Sequence, residues 1–212
     1  MYGVERTRMT TDNRPEWLLA TTNVAKQHEL GALLADLPVR WRSLRDYANR
    51  PEVEESGVTF QENALLKARA YSGWSGLPAL ADDGGLEIDA LGGQPGVHSR
   101  RWPTGVEADD ETLIAYTMAR MRGVPLEERG AQLRVVLCLA FPDGSVVYGG
   151  GVIRGIITPE PSPKREVAFP YRSVFFLPQF AKYYLELSEE EHELVNHRRT
   201  AVQELRRALQ RK

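Results

Sequence analysis

Cysteine occurs once in this chain of 212 residues, at Cys138, so no intrachain disulfide can form. Its neighbours in the run Val135-Val136-Leu137-Cys138-Leu139-Ala140-Phe141 are apolar. That predicts a buried thiol and favours a reducing compartment. Histidine is also scarce. Four are scattered along the chain with no His-Glu-x-x-His pair, and beside a single cysteine this excludes the usual zinc sites. No apolar run approaches the roughly 20 residues needed to span a bilayer, and the first sixteen residues hold no signal-like apolar core. A cytoplasmic protein with no membrane partner is expected. Nor is there an excess of positive charge: Lys and Arg number 27 against 29 Asp and Glu, a net charge of −2. This argues against a nucleic acid polymer as partner, while a small anion needs only local positive charge.

With 42% hydrophobic and 26% charged residues, the composition is that of an ordinary globular protein with ample material for a core. Residues 1–15 read as a flexible N-terminal leader, and 16–212 as a single domain. Trp17 to Thr22 reads as a first strand, Val24 to Asp36 as a helix, and Val39 to Leu44 as a second strand. Thr59 and Glu62 form a T-x-x-E capping box before a helix whose Phe60, Ala64, Ala68 and Tyr71 share one face. A short strand near Leu86 to Ile88, a glycine-rich loop to Trp102 and a helix from Glu107 to Arg122 follow. Asp143-Gly144 marks a hairpin between Ala131–Phe141 and Ser145–Ile157. Four prolines make residues 158–170 a loop, Val174 to Leu177 reads as a short strand, Ser188 and Glu191 form another capping box, and a helix from His197 to Leu209 closes the chain. Helices interleave with strands, yet the hairpin is antiparallel, so the fold class is α/β with a mixed sheet.

Three stretches carry chemistry. Asp82-Asp83-Gly84-Gly85 follows an apolar run, and because aspartate disfavours strand interiors the pair reads as a strand end, with the glycines turning sharply beside a site. Thr21-Thr22-Asn23-Val24-Ala25-Lys26 lies where a strand feeds a helix, so backbone N–H groups, hydroxyls and an ammonium could converge on a phosphate. An ordinary helix cap with a solvated lysine is the competing reading. Asn63 and Lys67 share a helix face, either as a second phosphate contact or as a solvated face. Glu54, Glu55, Asp82 and Asp83 supply oxygen ligands of the kind Mg2+ prefers.

Together the T-x-N-x-x-K stretch, Glu54 to Ala64 with Lys67-Ala68, the Ala81 to Gly96 run and Asn196-His197-Arg198 resemble the inosine triphosphate pyrophosphatase family. The resemblance implies an elongated mixed sheet with flanking helices, two lobes around a central cleft, and a homodimer. It implies hydrolysis of nucleoside triphosphates with aberrant purines to monophosphate and pyrophosphate. By position, it makes Thr21, Thr22, Asn23, Lys26 and Lys67 phosphate-binding, Glu55 and Asp83 metal ligands, and Asp83, helped by Asp82, the acceptor of the attacking water's proton.

The chain departs from that pattern at the other end of the ligand. Gly84 stands where the family usually has serine. The base-side loop, typically G-G-F-G-Y-D-P, reads Val167-Ala168-Phe169-Pro170-Tyr171-Arg172-Ser173, keeping Phe169 and Tyr171 but replacing an acidic acceptor by the donor Arg172. The final motif appears as His192 with Asn196, His197 and Arg198, in place of a lysine and S-H-R. These changes predict an altered base pocket for a non-standard purine or a modified nucleotide, with redirection to a specialised nucleotide pathway as one alternative. The rival expectation is a nucleotide-binding sensor or partner subunit without turnover. Phe175, Phe176, Phe180, Tyr183 and Tyr184 are expected in the core or at an interface, and His98 on a solvent-facing loop.

Overall fold

The computed structural model describes residues 13–211, and residues 1–12 of the expected leader lie outside the described residues. The elements in chain order are β1 Glu16–Leu19, α1 Val24–Leu33, β2 Arg40–Ser43, α2 Phe60–Ser75, β3 Ala79–Ile88, α3 Asp110–Arg120, β4 Gly130–Ala140, β5 Val146–Ile157, β6 Phe175–Leu177, β7 Lys182–Tyr183, α4 Glu189–Val195 and α5 His197–Leu209. The strands form one sheet in the order β2-β1-β3-β4-β5-β6-β7. Strand β1 runs parallel to β2 and β3, and the later pairings are antiparallel, so the sheet is mixed as expected.

Local signals place most of these elements. Thr59 and Glu62 exchange both bonds of a capping box at the start of α2, and Ser188 with Glu191 do the same for α4. Phe60, Ala64, Ala68 and Tyr71 are all buried on one face of α2. Gly144, at φ 84°, turns the β4–β5 hairpin. Phe175 and Tyr184 are core residues, and Phe176 meets Tyr183 edge-on across β6 and β7. Cys138 is buried, and burial first of all pushes its thiol up to about 11. None of the described helices is long and apolar enough to cross a membrane.

One expectation fails, and the failure organises the site. Asp82-Asp83-Gly84-Gly85 does not turn. It lies inside β3, paired residue for residue with Leu137, Val136, Val135 and Arg134 of β4. The glycines serve close approach: a Cβ on Gly84 would lie 2.4 Å from the Arg134 carbonyl oxygen and 2.9 Å from Val135 Cα. The serine usual at this position therefore has no room without displacement of β4. The aspartates are tolerated in mid-strand because each meets a lysine.

Alternation along β3 then decides which way each acid points. Leu80 joins the apolar group of α1 and α5, with Leu30, Leu34, Ala201, Val202 and Leu205. Ala79 and Ala81 join the α2 group, with Ala64, Ala68, Cys138 and Ala140. Asp82 follows Leu80, and Asp83 follows Ala81. Beyond the pair, Leu86 and Ile88 enter a third apolar group with α3 and Phe175. A polar interval thus interrupts β3 between apolar groups, while Val135 and Leu137 facing it on β4 stay in the core. Strand β1 pairs with β3 only through Ala79 and Leu80, so the β3 edge is uncovered by a strand where the acids begin.

Candidate active site

The chain leaves β1 at Ala20 and enters α1 through Thr21 and Thr22. Asn23 caps α1, its Oδ1 accepting from the Lys26 amide at 3.1 Å, so the cap reading is right for the asparagine. It is wrong for the lysine. Lys26 Nζ forms an ion pair with Asp82 Oδ2 at 2.8 Å, and Asp82 is 3% exposed. Burial alone would push Asp82 up, but Lys26, Lys67 and Arg198 together hold it below the ordinary carboxylate range.

On the other sheet face the alanine-lined contact lets α2 lie close, and Lys67 reaches the strand. Its Nζ lies 3.1 Å from Glu55 Oε1 and 3.3 Å from Asp83 Oδ1. Burial would lower the Lys67 ammonium, yet Asp83, Asp82 and Glu55 outweigh it and raise it. Asp83 goes the opposite way: burial, reinforced by Glu55 and Asp82, pushes it up against Lys67 and Lys26. Asn63 fits neither expectation. It is fully buried, and its Oδ1 accepts from the Gly57 amide at 2.8 Å, anchoring the segment that carries Glu55. Glu54 is exposed and stays outside the cluster.

Among the described residues no group of three or more Asp, Glu, His or Cys converges on a metal position. Two carboxylates, Glu55 and Asp83, both meet the Lys67 ammonium, and Asp83 Oδ2 is buried without a hydrogen-bond partner. Two protein oxygens with the rest supplied by phosphate and water is a donor set suited to a magnesium-like cation. Glu55 and Lys67 border a cavity of about 740 Å³ that also touches Thr21, Thr22, Asn23, Lys26 and Asp82, while Asp83 stands behind Lys67 and does not line it.

Asn23 and Lys26 also border a second cavity of about 160 Å³, lined by Gly84, Phe169, Tyr171, Arg172, His197 and Arg198. Several separated segments build it. Helix α5 reaches the sheet because β5 carries glycines there: a Cβ on Gly151 would lie 1.8 Å from the His197 carbonyl oxygen. Asn196 caps α5, accepting from the Arg198 and Arg199 amides, and donates to Glu29 at 3.3 Å. His197, buried and beside Arg198 and Arg172, titrates well below the ordinary histidine value and is neutral. It lies 3.3 Å from the Tyr184 hydroxyl, and His192 packs edge-on against the Tyr184 ring. Burial likewise lowers His192 and pushes the Tyr184 hydroxyl up to about 12.

Arg172 is buried, and its donors are engaged. Nη2 donates to Glu29 at 2.8 Å and Nη1 to Glu166 at 2.7 Å. Its guanidinium lies 3.8 Å from the centre of the Phe169 ring, with Arg198 at 5.1 Å from the same ring. Arg198 also reaches Glu29, at 3.3 Å. Burial would raise Glu29, but Arg198 and Arg172 hold it low. The acid lost from position 172 is thus answered by acids elsewhere. Tyr171 is turned away from free hydrogen bonding, since its hydroxyl donates to the Ser99 carbonyl at 2.6 Å.

Sequence reasoning missed Glu29 and Glu166. A signal for Glu29 existed: three residues after Lys26 on α1, it shares a helix face with a lysine already assigned to the site. The glycine run of β5 was likewise a mark of close backbone approach. Glu166, inside a proline-rich loop, carried no such signal.

A dITP/XTP pyrophosphatase of Thermus thermophilus is 43% identical over 188 residues, covering 89% of this chain and 88% of that protein. One from Geobacillus kaustophilus is 40% identical over 190 residues, covering 90% and 92%. Among solved structures, a HAM1 protein from Coxiella burnetii superposes with a TM-score of 0.81 at 32% identity, covering 93% of this chain and 100% of that one. The Staphylococcus aureus Ham1 protein gives 0.80 at 29% identity, covering 92% and 98%. The sequence pattern of the Ham1 family matches residues 17–208, so the chain belongs to the Ham1 family, the relatives its motifs resemble.

Proposed function

We propose that this protein hydrolyses a nucleoside triphosphate carrying a non-canonical purine to the monophosphate and pyrophosphate. The observation that carries the reading is the pair of joined cavities. One is lined by Lys26, Lys67, Glu55 and Asp82, the other by the Phe169 ring with Arg172 and Arg198, and Asn23 and Lys26 belong to both. A polyanion and a flat base are accommodated end to end.

In this reading Thr21, Thr22, Asn23, Lys26 and Lys67 hold the phosphates, and Lys26 and Lys67 stabilise charge that develops on them. Asp83, whose Oδ2 is buried and unpartnered, orients water and accepts its proton. Asp82 fixes Lys26 at the junction of the cavities. Glu55 and Asp83 would hold a Mg2+ ion, which supplies Lewis-acid stabilisation of the phosphate oxygens. At the other end Phe169 stacks the base, with Gly84, Tyr171, Arg172, His192, Asn196, His197 and Arg198 shaping its surroundings. The named activity of the Thermus thermophilus and Geobacillus kaustophilus relatives, dITP/XTP pyrophosphatase, supports dITP and XTP as first substrates to try.

The domain is read as two lobes of residues 16–212, on the separation of apolar groups along β3 on either side of Asp82–Gly85. A lone buried thiol and a nucleotide substrate suit the cytoplasm. Homodimer formation is part of the same proposal, the sheet face at Val152 and Arg154 being exposed.

The test is a panel of triphosphates with magnesium, scored for pyrophosphate. Release from dITP and XTP in preference to the common nucleotides, abolished by chelator and restored by added magnesium, supports the reading. Release of orthophosphate alone, or nucleotide binding without turnover across the panel, overturns it.

A further inference from the structure

The Phe169 loop carries an unexplained backbone feature. Ala168 has φ 71°, in the left-handed region where a Cβ is unfavourable and where glycine is the ordinary choice. Something must hold it there. The Ala168 amide donates to Asp110 Oδ2 at 2.8 Å, and Asp110 Oδ1 accepts from Arg100 Nη1 at 2.5 Å. Asp110 is the first residue of α3, but the cap of that helix is Asp109, which accepts from the Thr112 amide. The Asp110 carboxylate is therefore available for the loop.

The neighbouring contacts run in the same direction. Glu111 pairs with Arg165 at 2.5 Å, and Ser99, next to Arg100, accepts from the Tyr171 hydroxyl. Asp110 itself does not line the cavity that contains Phe169. It acts at one remove, through the turn that sets the ring on which Arg172 and Arg198 stack.

We propose that Asp110 is a positioning residue for base recognition: its carboxylate clamps the left-handed Ala168 turn and thereby fixes the Phe169 ring. The inference rests on the reading of the Phe169 end as the base-binding end. The clamp compensates for alanine in a glycine conformation, so its importance depends on the residue at 168.

That dependence is the test. Asp110→Ala is expected to raise KM for the best triphosphate about tenfold and leave kcat within about threefold, because the acids of β3 are untouched. Asp110→Asn, which keeps an acceptor for the amide, restores most of the loss. In the Ala168→Gly background, Asp110→Ala raises KM by less than about threefold, since glycine holds the turn unaided. An equal rise in both backgrounds, or a loss of kcat at unchanged KM, overturns the proposal. Should Asp110→Ala not fold, Asp110→Asn and Asp110→Ser are read by hydrogen exchange at the Ala168 amide. Protection lost in the serine variant and kept in the asparagine variant supports the clamp, and equal protection in both overturns it. If the wild-type protein turns over no triphosphate, the functional reading fails by itself. The clamp is then judged by the affinity of a non-hydrolysable dITP analogue, which weakens about tenfold in Asp110→Ala or else overturns it.

Discussion

The two ends of the cleft hold charge in different ways. At the phosphate end, Asp82 and Asp83 are neighbours in one strand, and alternation sends them to helices on opposite faces, to Lys26 of α1 and Lys67 of α2. At the base end, Glu29, Glu166, Arg172 and Arg198 come from three distant stretches and form a closed cluster against one aromatic ring. The first arrangement leaves acids and ammonium groups facing an open cavity, able to exchange partners with a ligand. The second neutralises its guanidiniums internally and presents stacked planar surfaces. The proposed function assigns chemistry to the end whose charges are exchangeable and selection to the end whose charges are spent on shape.

The sharpest way to break this contrast is Asp83→Asn. It should cut pyrophosphate release roughly a thousandfold while nucleotide affinity changes little, measured by single-turnover kinetics beside binding. Retained turnover would remove the water-activating role from the strand. At the opposite end Glu29→Ala should act on stability, by about 3 kcal/mol, because it strips a buried carboxylate from two guanidiniums. Arg172→Ala should cost less, since Glu29 keeps Arg198 and Asn196. Denaturant midpoints decide the order of the two.

Gly84→Ala lies between the ends and should destabilise by about 2 kcal/mol, through the forced displacement of β4, with a thermal melt as the readout. A smaller effect comes from pH. Folded His197 titrates well below the ordinary 6.5, so below that pH the unfolded chain binds a proton that the folded chain refuses. Its contribution to stability is therefore complete above about pH 7 and declines as pH falls from 6.5 towards the folded value. The slope of stability against pH in that window should diminish in His197→Gln. Least of all, Thr59→Ala should remove the α2 cap for about 1 kcal/mol, read by denaturation, and leave saturated turnover unchanged.

The legibility of the molecule follows the same division. Capping boxes at Thr59 and Ser188, the Asp143-Gly144 hairpin and the α5 span His197–Leu209 are short-range features, and each appears where the residues predict it. Glu55, Lys26, Lys67 and Asp83 come near one another as expected, but which lysine meets which acid is not legible in the chain. The prediction of a turn at Asp82–Gly85 failed because propensity treats mid-strand aspartates as a penalty, whereas two lysines from flanking helices stabilise them there. Arg172 was read as an open donor, since nothing near it in the chain announces Glu29.

By itself, then, the amino-acid order determined the local elements, the mixed α/β class and the supply of acids and amines. Tertiary structure alone decided that the acids stand inside a strand, that Glu29 answers Arg172 across 143 residues of chain, and that Asp110 holds Ala168. The reason is physical: caps, turns and alternation are settled between residues a few positions apart. Ion pairs between remote segments exist only after packing has closed the loops between them and excluded water.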